Sequence, residues 1–226
     1  TWGPGEPNPW ENAPIHLMQT LSPLLTQAGF APGCLTTWPG YPARSAQGVL
    51  YSYPANGTAR WPFEQAASES PFTPGDHVGL PQGTTTGPHL YLMADARRGR
   101  LEAATLTGPQ GPVDIRTVDN TTPQVGGYLP PGGIVIPVAP LIPGATYALS
   151  TRFVENGTNP QTLPVTTGFT TRKIVPTFTV GLEDGVLAYS PEPSGSLGFA
   201  ARITVVRLPS GTLVYEEQAD GPREQR

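Results

Sequence analysis

The stretch Leu141-Ile142-Pro143-Gly144-Ala145-Thr146-Tyr147-Ala148-Leu149-Ser150-Thr151-Arg152-Phe153 decides how the rest of the chain is read. A turn led by Pro143 and Gly144 feeds a strand that carries a tyrosine near its start. In Greek-key sandwiches a tyrosine so placed bonds through its hydroxyl back to the preceding corner. The plainer alternative is a tyrosine that merely packs at a strand start. Turn chemistry and spacing together favour the corner. The signal concerns the fold and carries no chemistry.

Working outward, strands are predicted near 49–53, 76–79, 89–95, 102–107, 112–118, 133–138, 145–154 and 164–171. Turn signals separate them: Asn56-Gly57, Pro74-Gly75, Arg98-Gly99, Gly108-Pro109, Pro131-Gly132-Gly133, Pro143-Gly144 and Asn156-Gly157. Seven or eight short antiparallel strands over 49–171 is the size of one immunoglobulin-like β-sandwich. Four more strand-like runs follow, at 174–180, 185–189, 199–208 and 212–217, with Leu208-Pro209-Ser210-Gly211-Thr212 as a tight hairpin. They make a small β region over 172–226 that either packs on the sandwich or begins a partial second β domain. Residues 1–48 form an N-terminal arm with short helical pieces. Ile15, Met18, Leu21 and Leu25 recur at helical spacing, Asn12 is placed to cap, and Gly29 to stop the run. Pro23 breaks an otherwise continuous helix, so two helices are expected, near 13–19 and 22–28. The overall expectation is an all-β protein with a short N-terminal helical segment.

Composition agrees. The 226 residues include 27 glycines and 29 prolines, far too many for a helical bundle, and without the period of collagen. Apolar runs are short and broken by proline, so no membrane span is expected. The net charge is −4, which argues against nucleic acid as a partner. The chain opens on Thr1 without a visible signal peptide and reads as a processed or trimmed product.

Motifs for chemistry are missing. Gly195-Ser196-Leu197-Gly198 has the wrong spacing for a nucleophile elbow, and the loop 79–87 lacks the lysine of a phosphate-binding loop. Asp76, His77 and His89 fall short of a metal set, so no metal or cofactor is expected, and surface or half-buried histidines are the reading. Asp119, Glu183 and Asp184 sit where turn acids bond their own backbone. Asn56, Asn120 and Asn156 head glycosylation sequons, two of which read as Asn-Gly turns. All four tryptophans lie in the first 61 residues. Trp2, Trp10, Trp38, Tyr41 and Trp61 either form an interaction surface or seal the N-terminal segment onto the sandwich.

The run Trp10-Glu11-Asn12-Ala13-Pro14-Ile15-His16 through Gly29-Phe30 resembles the last helix-to-strand segment of bacterial CAP-superfamily domains. Val49-Leu50-Tyr51-Ser52-Tyr53-Pro54 resembles the first strand of the immunoglobulin-like domain that follows them in secreted proteins. Gly79–Tyr91, Leu106–Val113 and Leu141–Tyr147 resemble the same module. The likeness spans about 10–171. It implies an extracellular or cell-surface location. Of the family's two histidines and two acids only His16 falls on a matching position, so the family's cleft is not whole here. The resemblance implies that Cys34 either pairs with a cysteine upstream of this chain or stays a buried thiol. The function expected is a non-catalytic module for adhesion or structural interaction, with a protein or cell-wall glycan as partner. The alternatives are a subunit that assembles, as a homo-oligomer, by strand addition, and a remnant of a CAP-type enzyme or lipid-binding protein.

Overall fold

A computed structural model describes residues 9–31, 34–39, 48–70, 72–173, 177–183, 186–192, 200–207 and 212–220. These are mostly β. The chain divides into two units, Thr1–Lys173 and Ile174–Arg226.

In the first unit a 3-10 turn over Pro9–Asn12 leads into α1 (Pro14–Leu21), then a hairpin of β1 (Leu25–Ala31) and β2 (Cys34–Pro39). Next come β3 (Leu50–Tyr53), β4 (Thr58–Trp61), β5 (Gln65–Ala66), a 3-10 turn over Pro74–Val78, and β6 (Thr85–Thr86). The remaining strands are β7 (Leu90–Ala94), β8 (Gly99–Gly108), β9 (Gly111–Val113), β10 (Ile115–Asp119), β11 (Gly132–Pro137), β12 (Thr146–Glu155) and β13 (Thr162–Thr171). One sheet has the order β10-β11-β7-β3 and the other β4-β13-β12-β8-β9, while β5 and β6 pair by themselves. Neighbours are antiparallel except β4, which runs parallel to β13.

The two large sheets use their faces differently. In β12, Tyr147, Leu149, Thr151 and Phe153 are buried and the residues between them are exposed, the period of a strand with one solvated face. In β7 and β11 every residue is buried. Their second face is covered by α1 and by the segment that carries Val125 and Leu129. Ile15, Leu17 and Met18 from α1 pack there with Tyr91, Met93, Ile134 and Ile136. Each such side chain contributes roughly 1.5–3 kcal/mol on burial. An eight-residue helix is marginal by itself, so α1 owes its existence to this packing.

The corner expected at Tyr147 is present: the Ile142 N–H donates to Tyr147 Oη at 2.7 Å. The tyrosine is buried, its ring stacks on Phe169 at 5.7 Å, and Gly108 lies so close beneath it that any Cβ there would meet the ring. Tyr147→Phe strands the Ile142 donor, and the expected loss is about 1–2 kcal/mol, read by thermal unfolding.

Several local expectations are corrected. Residues 22–28 are not helical. Ser22 precedes Pro23, which bars the helical backbone, so α1 stops at Leu21 and the chain turns into β1, Gly29 included. Asn12 does not cap α1. Residues 76–79 form a 3-10 turn instead of a strand: Thr73 and Asp76 cap each other's backbone, Pro74 sets the first turn, and Gly79 ends it with φ +80°. Asn56-Gly57 does not close a hairpin, because β3 and β4 on its two sides belong to different sheets. The run 112–118 is split into β9 and β10 at Asp114.

In the second unit β14 (Thr177–Glu183) pairs with β15 (Val186–Glu192), and β16 (Ala200–Arg207) with β17 (Thr212–Asp220), both antiparallel. The turn residues Leu208–Gly211 and Asp184 lie outside the described residues.

Candidate functional site

The N-terminal segment meets the first sheet along a polar seam. Glu69 anchors it. One carboxylate oxygen accepts the Ile15 N–H and the other accepts the His16 N–H, both at 2.9 Å. The same second oxygen is in close contact with His16 Nδ1. A buried anion therefore sits on the first turn of α1, where the free amides and the positive end of the helix dipole favour it. The Glu69 side chain is only 2 % exposed, against 48 % for His16. Trp10, half-buried, stacks on the His16 ring at 5.5 Å. Ser68 N–H donates to the Asn12 carbonyl at 2.8 Å, and Gln65 Nε2 to the Glu11 carbonyl at 2.5 Å.

Gln65 extends the seam inward, where its Oε1 accepts the His89 N–H at 2.9 Å. Beyond it runs a chain of rings. Trp61 meets Tyr53 edge-on at 4.8 Å, Tyr53 lies 6.2 Å from Tyr91, and Tyr91 lies 6.5 Å from His89. Trp61 Nε1, His89 Nδ1 and Tyr91 Oη are buried without hydrogen-bond partners. Burial pushes the His89 imidazole down to about 4. Burial also raises the Tyr91 hydroxyl, and the negative charge of Glu69 adds to it. The Gln65 side chain opposes the rise although it does not reach hydrogen-bond geometry. Tyr53 is raised by burial and by Glu11.

A second feature lies where the β8–β9 turn approaches the segment between β11 and β12. It is an open groove of about 320 Å³ lined by Pro109, Pro112, Val113, Pro140, Ile142 and Tyr147, with Asp114 as its one charged group. Ile142 is exposed there.

Of the aromatic residues singled out in the sequence, Trp10 and Trp61 pack in or beside the seam. Trp38 is in β2 opposite Gln27, with a side chain outside the description, and Trp2 and Tyr41 lie outside the described residues. His16 joins the seam through Glu69, a residue the sequence did not single out. His89 is neither surface nor half-buried, because the segment carrying Thr73, Leu80, Pro81 and Thr86 closes over it. Among the described residues no three His, Cys, Asp or Glu are grouped to hold a metal ion. The Glu69 carboxylate orients the His16 imidazole through Nδ1. Asp119 serves the backbone as expected, accepting Thr121 N–H at 2.7 Å and, from β8, Leu101 N–H at 2.7 Å. Asn120 Nδ2 is taken up by the carbonyls of Gly126 and Leu129, so this sequon nitrogen is a structural donor. Among the described residues no helix is long and apolar enough to cross a membrane. No family model matches the chain, and no curated protein matches it.

Proposed function

We propose that the chain is a non-catalytic, extracellular or cell-surface interaction module built on an immunoglobulin-like sandwich, with a CAP-like segment at its N-terminus. Strand order supports the fold reading. The sheets β10-β11-β7-β3 and β4-β13-β12-β8-β9 have the adjacencies of strands D-E-B-A and A′-G-F-C-C′, and the tyrosine corner falls at the start of the strand in the F position. The observation that carries the functional reading is the use made of acids. Glu69, Asp76 and Asp119 are each bound to backbone N–H groups, so they brace helix, turn and loop. The groove beside Ile142 supplies an apolar, proline-lined surface for a protein or glycan partner.

The test is binding of the purified chain to cell-wall glycan and to surface-protein fractions, compared with Ile142→Arg. Loss of binding in the variant with unchanged melting supports the proposal. Turnover of any substrate that His16→Ala abolishes would refute it in favour of the CAP-type enzyme. A second reading draws on the C-terminal unit. Hairpins β14–β15 and β16–β17 are each two-stranded sheets, and such sheets gain stability by adding strands. Light scattering across a concentration series is expected to show a rise in mass if they recruit a second copy, and a constant monomer mass excludes that assembly.

A further inference from the structure

The chain contains the same tripeptide twice, Asn56-Gly57-Thr58 and Asn156-Gly157-Thr158, and both asparagines are exposed. Their chemistry should diverge, because the fold holds one and leaves the other free.

At the first site Gly168 clamps both reacting groups. Asn56 Oδ1 accepts the Gly168 N–H at 2.8 Å, and the Gly57 N–H donates to the Gly168 carbonyl at 2.7 Å. The side-chain carbonyl and the next main-chain nitrogen are thus held on β13, away from each other. At the second site only the base of the loop is pinned. Glu155 N–H donates to Gln161 and Asn156 N–H to Arg98, at 3.0 and 2.8 Å. Neither the Asn156 side chain nor the Gly157 N–H has a hydrogen-bond partner among the described residues. Gly157 has φ +135°, a backbone with no Cβ to obstruct attack. Arg97 Nη1 lies 3.3 Å from where a Cβ on Gly157 would sit. A guanidinium so close favours the deprotonated form of the neighbouring peptide nitrogen.

We propose that Asn156-Gly157 is a self-modification site that converts through a cyclic succinimide to isoaspartate and aspartate, and that the Gly168 clamp protects Asn56-Gly57. The Gly157 nitrogen gives up its proton and attacks Asn156 Cγ. The Cγ–Nδ2 bond breaks, and Nδ2 leaves with that proton as ammonia. Water then opens the ring, at the former backbone carbonyl to give isoaspartate or at the side-chain carbonyl to give aspartate. One water enters and one ammonia leaves, and no oxidant is needed. The product places a new carboxylate beside Arg97 on the β12–β13 loop, and isoaspartate also adds one methylene to the loop's main chain.

The test is ageing of the full chain at mildly alkaline pH, followed by peptide mass mapping and enzymatic isoaspartate labelling at both sites. Opening the clamp breaks two hydrogen bonds. Residue 156 should therefore react about 30-fold faster than residue 56, equivalent to about 2 kcal/mol of barrier. In denaturant the identical tripeptides should react at similar rates. Asn156→Gln should remove the label at 156 and leave position 56 unchanged. Equal native rates, a difference that persists in denaturant, or no label at 156 would each overturn the proposal.

Discussion

Replacing Glu69 with alanine is expected to lower the unfolding free energy of the Thr1–Lys173 unit by about 3–4 kcal/mol. The carboxylate is buried and takes two main-chain donors from the first turn of α1, besides the His16 ring. Alanine leaves those donors facing a cavity. The helix is too short to persist without its start, so the packing of Ile15, Leu17 and Met18 on β7 and β11 weakens with it. For a unit of this size the loss corresponds to a fall in melting temperature of about 10 °C. Tryptophan fluorescence reports it cleanly, since all four tryptophans lie within Thr1–Lys173. Glu69→Gln keeps one acceptor oxygen and the side-chain volume, so about half the loss is expected. His16→Ala removes a half-exposed partner and should cost less than about 1 kcal/mol. That order separates a helix cap from a surface ion pair. If His16→Ala proved as costly as Glu69→Ala, the ion pair and not the cap would be the source of stability.

Glu69 also marks the limit of what the sequence makes legible. It meets the Ile15 amide across 54 positions, and no local pattern announces a contact of that range. The strands of the two large sheets were legible because their signals are local: short apolar runs, turn dipeptides, and a tyrosine at a fixed offset from a Pro-Gly corner. The 3-10 turn at Pro74–Val78 was equally local, since Thr73 and Asp76 have capping-box spacing, yet a strand is expected there from the sequence. The segment 22–28 misled in the opposite direction. Leucines at helical spacing continue past Pro23, but pairing with β2 gives Leu25–Ala31 hydrogen bonds that an interrupted helix could not match. His89 was misplaced for a third reason. A strand in an antiparallel sheet is ordinarily read with one wet face, whereas every residue of β7 is buried. Over His89 the second cover comes from the irregular segment carrying Thr73, Leu80 and Pro81, which has no strand pattern to announce it.

Burial of His89 carries the largest pH effect expected below neutral pH among the described residues. Its imidazole titrates near 6.5 when solvated and near 4 in the fold, because burial disfavours the charged ring. Between those values the unfolded chain holds a proton that the folded chain rejects. Stability is therefore full above about pH 6.5, falls as the pH drops, and levels off below about pH 4. The slope within this window is about 1.4 kcal/mol per pH unit, so the total loss approaches roughly 3 kcal/mol. His89→Leu isolates the effect. It keeps the His89 main-chain N–H for Gln65 and replaces the ring with an apolar side chain of similar bulk. Carboxylates titrate in both proteins, so the difference between their denaturation curves belongs to the imidazole. Urea midpoints followed by tryptophan fluorescence should show the variant gaining on the parent as pH falls from neutral toward about 4. Two curves that stay parallel would mean that the ring takes up its proton without cost. A cation would then be tolerated in the enclosed space that His89 shares with Leu80, Pro81 and Ile136, which the buried, unpartnered Nδ1 argues against.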